Sequence, residues 1–401
     1  MKRSILAFLL LLCLGMTACG GGNESQADYT GKEAQNKYAR AWGLLSFQET
    51  EEYYIGNDLI GNKAYYYDKV NGISGLLCAD PACTHEDSSC CAHVRRGATL
   101  FLHGGQRYWI TDDHADGGDH ILWRSDLSGE NRVKLKTISL QDIVMIYQPQ
   151  QYFLHREHIY FLGTEDVLPV GTRISIMGSA LDNEDSFTPL FDETYDLSAN
   201  AEACFVGSYA YLMVTQFEGV DNWDNIYVSI YRIHLTTGEQ ELLYEEADLH
   251  APADSLWVTE DGTVCFVKNN RLCVLEDGNV RQILLTDNPD VYPWVMDGIV
   301  LISTAKETTL WFTVLDFEGN TLYDGPAFTN VVPGPETIPQ IGRGFSWAVV
   351  GGDRDKLILA MEEADWKDNN GFGYAMNSKA YMLALDLSNN LAPTLLWMSE
   401  S

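Results

Sequence analysis

Trp311-Phe312-Thr313-Val314-Leu315-Asp316-Phe317-Glu318-Gly319-Asn320-Thr321-Leu322-Tyr323-Asp324-Gly325 (311–325) decides the fold. Large apolar residues and threonines, rich in β-branched and aromatic types, lead into Asp-Phe-Glu-Gly-Asn and then into a second short apolar run. The first run suits a strand, because aromatic and β-branched side chains fit a pleated surface. The Asp…Gly-Asn break suits a tight turn, since Asp caps its own turn amides and Gly accepts positive φ. The segment therefore predicts a β-hairpin.

The same pattern recurs as AYYYDKVNGISGLLC (64–78), ILWRSDLSGENRVKL (121–135), SIYRIHLTTGEQELL (229–243), RLCVLEDGNVRQIL (271–284) and AYMLALDLSNNLAPTLLW (380–397). A degenerate copy, RISIMGSALDNEDSFTPLF, occupies 173–191. Turn glycines or asparagines fall near 72, 129, 183, 238, 278, 319 and 389. One or two further strand candidates precede each copy, among them GQRYWIT, EHIYFLG, SYAYLMV, GTVCFVK, GIVLIST and KLILAME. Copies lie roughly 40–70 residues apart with about four strands each, the period of propeller blades. One such blade cannot bury both faces, and radial stacking buries them while leaving short edges. The expectation is an all-β chain, a β-propeller of four-stranded blades, with seven blades favoured over six or eight. A pair of β-sandwiches is the competing arrangement. The last blade is expected to be complete within the C-terminus, and whether residues 44–55 add a closing strand is left open. The repeats lack the Gly-His…Trp-Asp pair, the kelch double glycine and the sialidase box.

Composition agrees. Aromatics make up 11% of the chain, Tyr alone 21 residues, and Gly is frequent, as in a turn-rich β protein. The formal charge of −31 argues against nucleic acid, which needs a basic surface, and against lying flat on anionic lipid. An acidic surface keeps a protein soluble and can also collect cations or basic partners.

Upstream of the repeats stands MKRSILAFLLLLCLGMTAC (1–19), then Gly20-Gly21-Gly22. Lys2 and Arg3 start it, Ile5 to Leu14 form the apolar run, and Met16-Thr17-Ala18-Cys19 matches a lipobox. The run is too short for a permanent span, which needs ~20 apolar residues. The expected division is a lipoprotein signal peptide at 1–18, lipidated Cys19 with a flexible tether over 19–43, and the propeller over 44–401. KEAQNKYARAW within the tether suits one short helix. Acylation of Cys19 would hold the chain on the outer face of a bacterial cell membrane, outside the cytoplasm. The competing processing is an unlipidated secretory signal cleaved after Ala18.

Seven cysteines lie beyond Cys19. Four crowd into LLCADPACTHEDSSCCAH (76–93), as Cys78-x4-Cys83-x-His85-x4-Cys90-Cys91. Three thiols and an imidazole could wrap a tetrahedral zinc. Outside the cytoplasm the same thiols could instead staple the loop as disulfides, with Pro81 bending Cys78 toward Cys83. A redox-active or intermolecular thiol is the third reading. The order of lipobox, tether, first hairpin and Cys-x2-Pro-x-Cys-x-His-x4-Cys-x-Ala resembles the uncharacterised β-propeller lipoproteins of clostridial-type Gram-positive bacteria. The matching positions are Cys78, Pro81, Cys83, His85, Cys90 and, offset by one, Ala92, with Cys91 as a departure from the pattern. The resemblance implies a surface-exposed propeller and brings no activity with it.

Cys265 and Cys273 flank Lys268-Asn269-Asn270. A three-residue turn there would set them opposite each other, as a cross-strand disulfide or as two buried thiols. Cys204 reads as core. Asp112-Asp113-His114-Ala115-Asp116-Gly117-Gly118-Asp119-His120 is a candidate cation loop for calcium or zinc, through Asp112, Asp113, Asp116, Asp119 and His120. Two other acidic loops pair acids with tryptophan: Trp223 with Asp224, and Trp366 with Asp365 and Asp368. That mixture suits stacking on a sugar with hydrogen bonds to its hydroxyls, and solvated hairpin loops explain the same residues. No nucleophile elbow, His-Glu-x-x-His or phosphate loop is present, and no catalytic residue is assigned.

The expected function is a membrane-anchored binding or scaffolding propeller for a glycan, peptide or protein, with no cofactor required. A propeller hydrolase or lyase acting on polysaccharide is the alternative, and a metal-handling lipoprotein the second. The long gap around 326–379 is the first guess for the binding rim.

Overall fold

The computed structural model describes Tyr38 and residues 46–400, except 58–62, 79, 86–89, 95–99, 113–119, 139–150, 168–170, 183–186, 219–225, 250–252, 277, 289–290, 292, 307–308, 328–344 and 370–371. Seven four-stranded antiparallel sheets follow one another along the chain, each in sequential strand order. They form a seven-bladed propeller. Blade 1 spans 47–76, blade 2 100–138, blade 3 151–195, blade 4 198–249, blade 5 254–284, blade 6 294–326 and blade 7 345–400. The single helical turn in these segments is a 3-10 turn, Leu387–Asn389. No helix among the described residues is long and apolar enough to cross a membrane.

Each recurrent hairpin of the sequence is the third and fourth strand of one blade. Blade 6 shows it with Thr309–Asp316 and Thr321–Pro326. The turn between them works as its residues suggest. The Asp316 carboxylate accepts the Glu318 and Asn320 amides, and Gly319 takes φ 87°. Asp68 and Gly72 repeat the device in blade 1, where Asp68 accepts from the Val70 and Asn71 amides.

Side-chain alternation then builds the ring. In blade 5 the second strand, Val264–Lys268, is buried throughout, because its two faces feed two different cores. Val264 and Phe266 pack toward blade 4, and Cys265 and Val267 toward blade 6. The fourth strand, Asn279–Leu284, is mostly exposed and forms the outer edge. First strands lie innermost and touch across blades 1 and 2, 4 and 5, and 5 and 6. Hydroxyls tie successive inner strands: Ser46 Oγ accepts from the Leu100 amide at 2.8 Å, and Ser255 Oγ from the Val295 amide at 2.8 Å.

Among the described residues, blade 7 is built from 345–400 and blade 1 from 47–76, and no strand is exchanged between them. Aromatic contact makes the seam. Trp397 stacks on Phe47 at 5.8 Å and on Tyr65 at 6.1 Å. Gly56 makes room for it, since a Cβ there would lie 3.0 Å from the Trp397 ring. Tyr38, inside the stretch expected to be tether, is buried in this seam. It packs edge-on against Phe47 at 4.8 Å and donates to Glu49.

Antiparallel order also sorts the connections onto two faces. The turns from first to second and from third to fourth strands share one face. Second-to-third turns and blade-to-blade connections share the other. The five longest connections, 77–99, 139–150, 218–225, 285–293 and 327–344, all belong to the second face.

Candidate functional site

The connection after blade 1 carries the cysteine cluster. Pro81 and Ala82 form a turn in which the Cys83 amide donates to the Asp80 carbonyl at 3.2 Å, while the Asp80 carboxylate accepts from Ala82 at 2.8 Å. The chain thereby folds back toward Cys78. His85 adopts φ 60°, a left-handed conformation that is uncommon for a residue with a side chain. Its Nδ1 then lies 3.2 Å from Cys90 Sγ. As a result, one ligand atom from each of Cys78, Cys83, His85 and Cys90 falls within 4.8 Å of the other three. Cys90 is buried and the other three are half-buried.

All seven described cysteines are free thiols. Of the three readings of this cluster, the arrangement shown has no disulfide and draws three sulfurs and an imidazole to a common centre. Cys91 stands outside the four-donor group and hydrogen-bonds to the Cys78 thiol. Burial opposes ionisation of Cys78, yet hydrogen bonds from Cys91, the Asp80 amide, Cys90 and Cys83 outweigh it and hold this thiol below the usual range. Burial pushes the Cys90 thiol up.

The cluster is clamped between two blades. On the blade 1 side, Ala64 donates to the Ala92 carbonyl at 2.8 Å, and Lys63 forms a β-bridge with His93. On the blade 2 side, Arg132 donates to the Cys90 carbonyl at 3.0 Å and Arg107 to the Cys91 carbonyl at 2.7 Å. The two guanidiniums lie over Trp109 at 5.2 and 4.6 Å. Gly129, at φ 89°, admits the Cys90-Cys91 turn: a Cβ there would stand 2.6 Å from Cys91 Cβ. Arg107 is fully buried, and its Nη1 finds no hydrogen-bond partner among the described residues. Burial, then the charge of Arg132, pulls its pKa down to about 10.

Arg107, Arg132 and Gly129 are residues of this cluster that sequence reading missed. The available signal was Arg107-x-Trp109, a cation two residues from an aromatic on one strand face, where the two side chains can stack.

The other candidates fare differently. Cys265 and Cys273 are not opposite each other. The turn between their strands has two residues, Asn269 and Asn270, at φ 50° and 57°, and Cys273 pairs with Phe266 while Cys265 pairs with Val274. This is the primed turn that matches strand twist, and the one-residue difference sends the two thiols to opposite sheet faces. Cys265 enters the core toward blade 6 and Cys273 the core toward blade 4. Burial raises their pKa values to about 12 and about 11, so both stay neutral thiols. Cys204 is buried in the core between blades 4 and 5, as expected.

In the acidic loop of blade 2, Asp113, Asp116 and Asp119 lie outside the described residues. Asp112 ends the second strand and His120 begins the third, paired across the sheet. His120 is a correction: it is buried, and its Nδ1 is hydrogen-bonded to the Tyr152 hydroxyl of blade 3. It serves the joint between blades. Trp223 and Asp224 also lie outside the described residues, in the 218–225 connection. Asp365, Trp366 and Asp368 belong to the second strand of blade 7, Lys356–Asn369, and not to a loop. They pair with Met376, Ala375 and Gly373. The flanking strands stop short, at the Phe345–Glu363 and Lys379–Glu400 pairs. Residues 365–369 and 372–376 therefore project as a two-stranded ribbon on the face of the long connections.

No family model matches the chain, and no curated protein matches it. A structure from a study of two prolyl endopeptidases is similar over 95% of this chain at 14% identity, with a TM-score of 0.50. The chain spans about half the length of that structure, 52%. The β-propeller domain of the Trilobed protease from Pyrococcus furiosus aligns with 86% of this chain and 98% of its own, at 11% identity and a TM-score of 0.46. An acylaminoacyl peptidase in complex with Z-Gly-Gly-Phe-chloromethyl ketone aligns with 87% of this chain and 53% of its own, at 12% identity and a TM-score of 0.47. At such identities the likeness concerns the propeller fold alone.

Proposed function

We propose that the chain is an exported, lipid-anchored lipoprotein whose propeller is a binding or scaffolding module for a glycan, peptide or protein. The observation that carries this reading is the gathering of the five longest connections and the blade 7 ribbon on one face. Connections of this length on a rigid ring are where recognition residues concentrate. Trp223 with Asp224, and Trp366 with Asp365 and Asp368, are residue types that suit stacking on a sugar and hydrogen bonds to its hydroxyls.

The anchor follows from the lipobox at Cys19. Mass spectrometry of the N-terminal peptide from the native host should find Cys19 acylated, and Cys19→Ala should release the protein into the medium. Binding is tested with the full chain on glycan and peptide arrays. Capture of one ligand class, weakened about tenfold or ~1.4 kcal/mol by joint Trp223→Ala and Trp366→Ala substitution, supports the reading. Shortened polysaccharide chains after incubation, with no stable capture, would replace it with the hydrolase alternative.

A further inference from the structure

We infer that Cys78, Cys83, His85 and Cys90 form a structural zinc site that fastens the blade 1–blade 2 joint. This inference is independent of the anchor and of the ligand face. Four donors converge within 4.8 Å of one another, close to the edge of about 3.8 Å of a tetrahedron with Zn–S bonds of about 2.3 Å. The donor set is three sulfurs and one imidazole, soft and borderline ligands that suit zinc and not calcium or magnesium. All four positions of a tetrahedron are filled by protein, leaving none open for water or substrate, which is the mark of a structural site.

Charge supplies a second, separate observation. A zinc ion with three thiolates and a neutral imidazole carries one net negative charge, and binding releases three thiol protons. Two guanidiniums stand one peptide group away, on the carbonyls of Cys90 and Cys91. One of them, Arg107, is fully buried, with Nη1 unpartnered among the described residues. A buried cation is costly unless paired, and an anionic metal–thiolate unit beside it offsets that cost. A disulfide would consume two of the sulfurs, leave the imidazole without a role and supply no anion to the arginines.

Position points the same way. The four donors belong to a segment bonded to blade 1 through Ala64 and to blade 2 through Arg107 and Arg132. Metal there would order the segment and so couple the blades. Cys91 is excluded from the ligand set and supports it from outside, through its hydrogen bond to Cys78.

The test uses the full chain, purified without chelator. Elemental analysis should find one zinc per chain. Cys83→Ala or His85→Ala should lower zinc affinity by more than the ~10–100-fold that loss of an outer-sphere partner costs. Cys91→Ala should keep the metal, and His85→Cys should keep it too, which separates ligand loss from misfolding. Cobalt(II) added to the reduced, metal-free wild type should give the intense bands of a tetrahedral thiolate complex. Three outcomes would overturn the inference: no metal taken up by the reduced chain, a disulfide among Cys78, Cys83 and Cys90 in the exported protein, or zinc that persists undiminished in Cys83→Ala and His85→Ala.

Discussion

Blades 4 and 5 meet over fifteen buried residues, from Cys204 and Tyr211 to Phe266 and Leu275, whereas blades 1 and 2 meet over six among the described residues. The first joint needs no help. Its apolar side chains interdigitate across two sheets, and a carboxylate of Glu202 accepts the Ser255 and Leu256 amides at 3.1 and 2.9 Å. The second joint has Ile55, Ala64, Leu77, Val94, Leu100 and Trp109, with two arginines and a thiol cluster filling the remainder. A thin apolar core is the circumstance in which small folds recruit cross-links or metals. The contrast teaches that one ring can hold its joints by different physics, apolar packing at one and charged and thiol groups at the other.

The contrast should break most sharply at Phe266. Phe266→Ala opens a cavity in the fully packed joint, and the expected loss is ~3–5 kcal/mol in denaturant unfolding with bound zinc unchanged. Loss of zinc in that variant would mean that the two joints are not independent. At the polar joint, Gly129→Ala combines an unfavourable φ with a Cβ pressed against Cys91 and Arg107. It should cost about 2–3 kcal/mol and weaken zinc binding, measured by melting and by chelator competition. Next comes metal removal. A chelator under reducing conditions should speed amide exchange about tenfold, or ~1.4 kcal/mol, over 64–77 and 90–109, and leave 264–275 protected. Equal loosening of both regions would erase the distinction.

The smallest expected effect lies in the Asp…Gly turns that recur around the ring, shown by Asp316 in blade 6 and Asp68 in blade 1. Burial works against the Asp316 carboxylate, but the Asn320 side chain, the Asn320 and Glu318 amides and Arg354 outweigh it and hold its pKa below the ordinary value. A depressed folded-state pKa contributes stability above the unfolded value, about 3.9, and loses it as pH falls through the folded value. Asp316→Ala should therefore cost about 1 kcal/mol near neutral pH and progressively less below about pH 4, by denaturation at several pH values. Asp68 in blade 1 has its pKa lowered by the Asn71 side chain first, then by the Asn71 and Val70 amides. The same direction is expected there, with no dependence on metal.

The ring was legible because each blade repeats a local device. Apolar alternation into Asp…Gly marks the third and fourth strands, and both signals act within a few residues. Gly72, Gly129, Gly238, Gly278 and Gly319 all take positive φ at the anticipated turns. What failed was register. Reading Lys268 as turn instead of strand moved Cys273 by one residue and so to the wrong face. Trp366 was read as loop because acids and asparagines surround it, yet the blade 7 hairpin carries the ladder through them. Tyr38 looked like tether because its neighbours are polar, and only the seam explains it. The cysteine spacing was visible, but Arg107 and Arg132, which bear on the reading of the cluster, approach from a different blade and left no mark in its spacing.

Closure without an exchanged strand has a mechanical consequence. Six of the seven joints are crossed by the polypeptide itself, and among the described residues the joint between blades 7 and 1 is not. Tyr38, the N-terminal residue of the described chain, is wedged into that same joint. A pull on the N-terminus is thus transmitted first to the one joint with no covalent bond across it, where Phe47, Tyr65 and Trp397 would have to slide apart before any blade unravels. Under tension the propeller behaves as a split ring, and its opening force is set by the non-covalent contacts of that seam, aromatic stacking together with the Lys356–Glu49 ion pair at 3.0 Å.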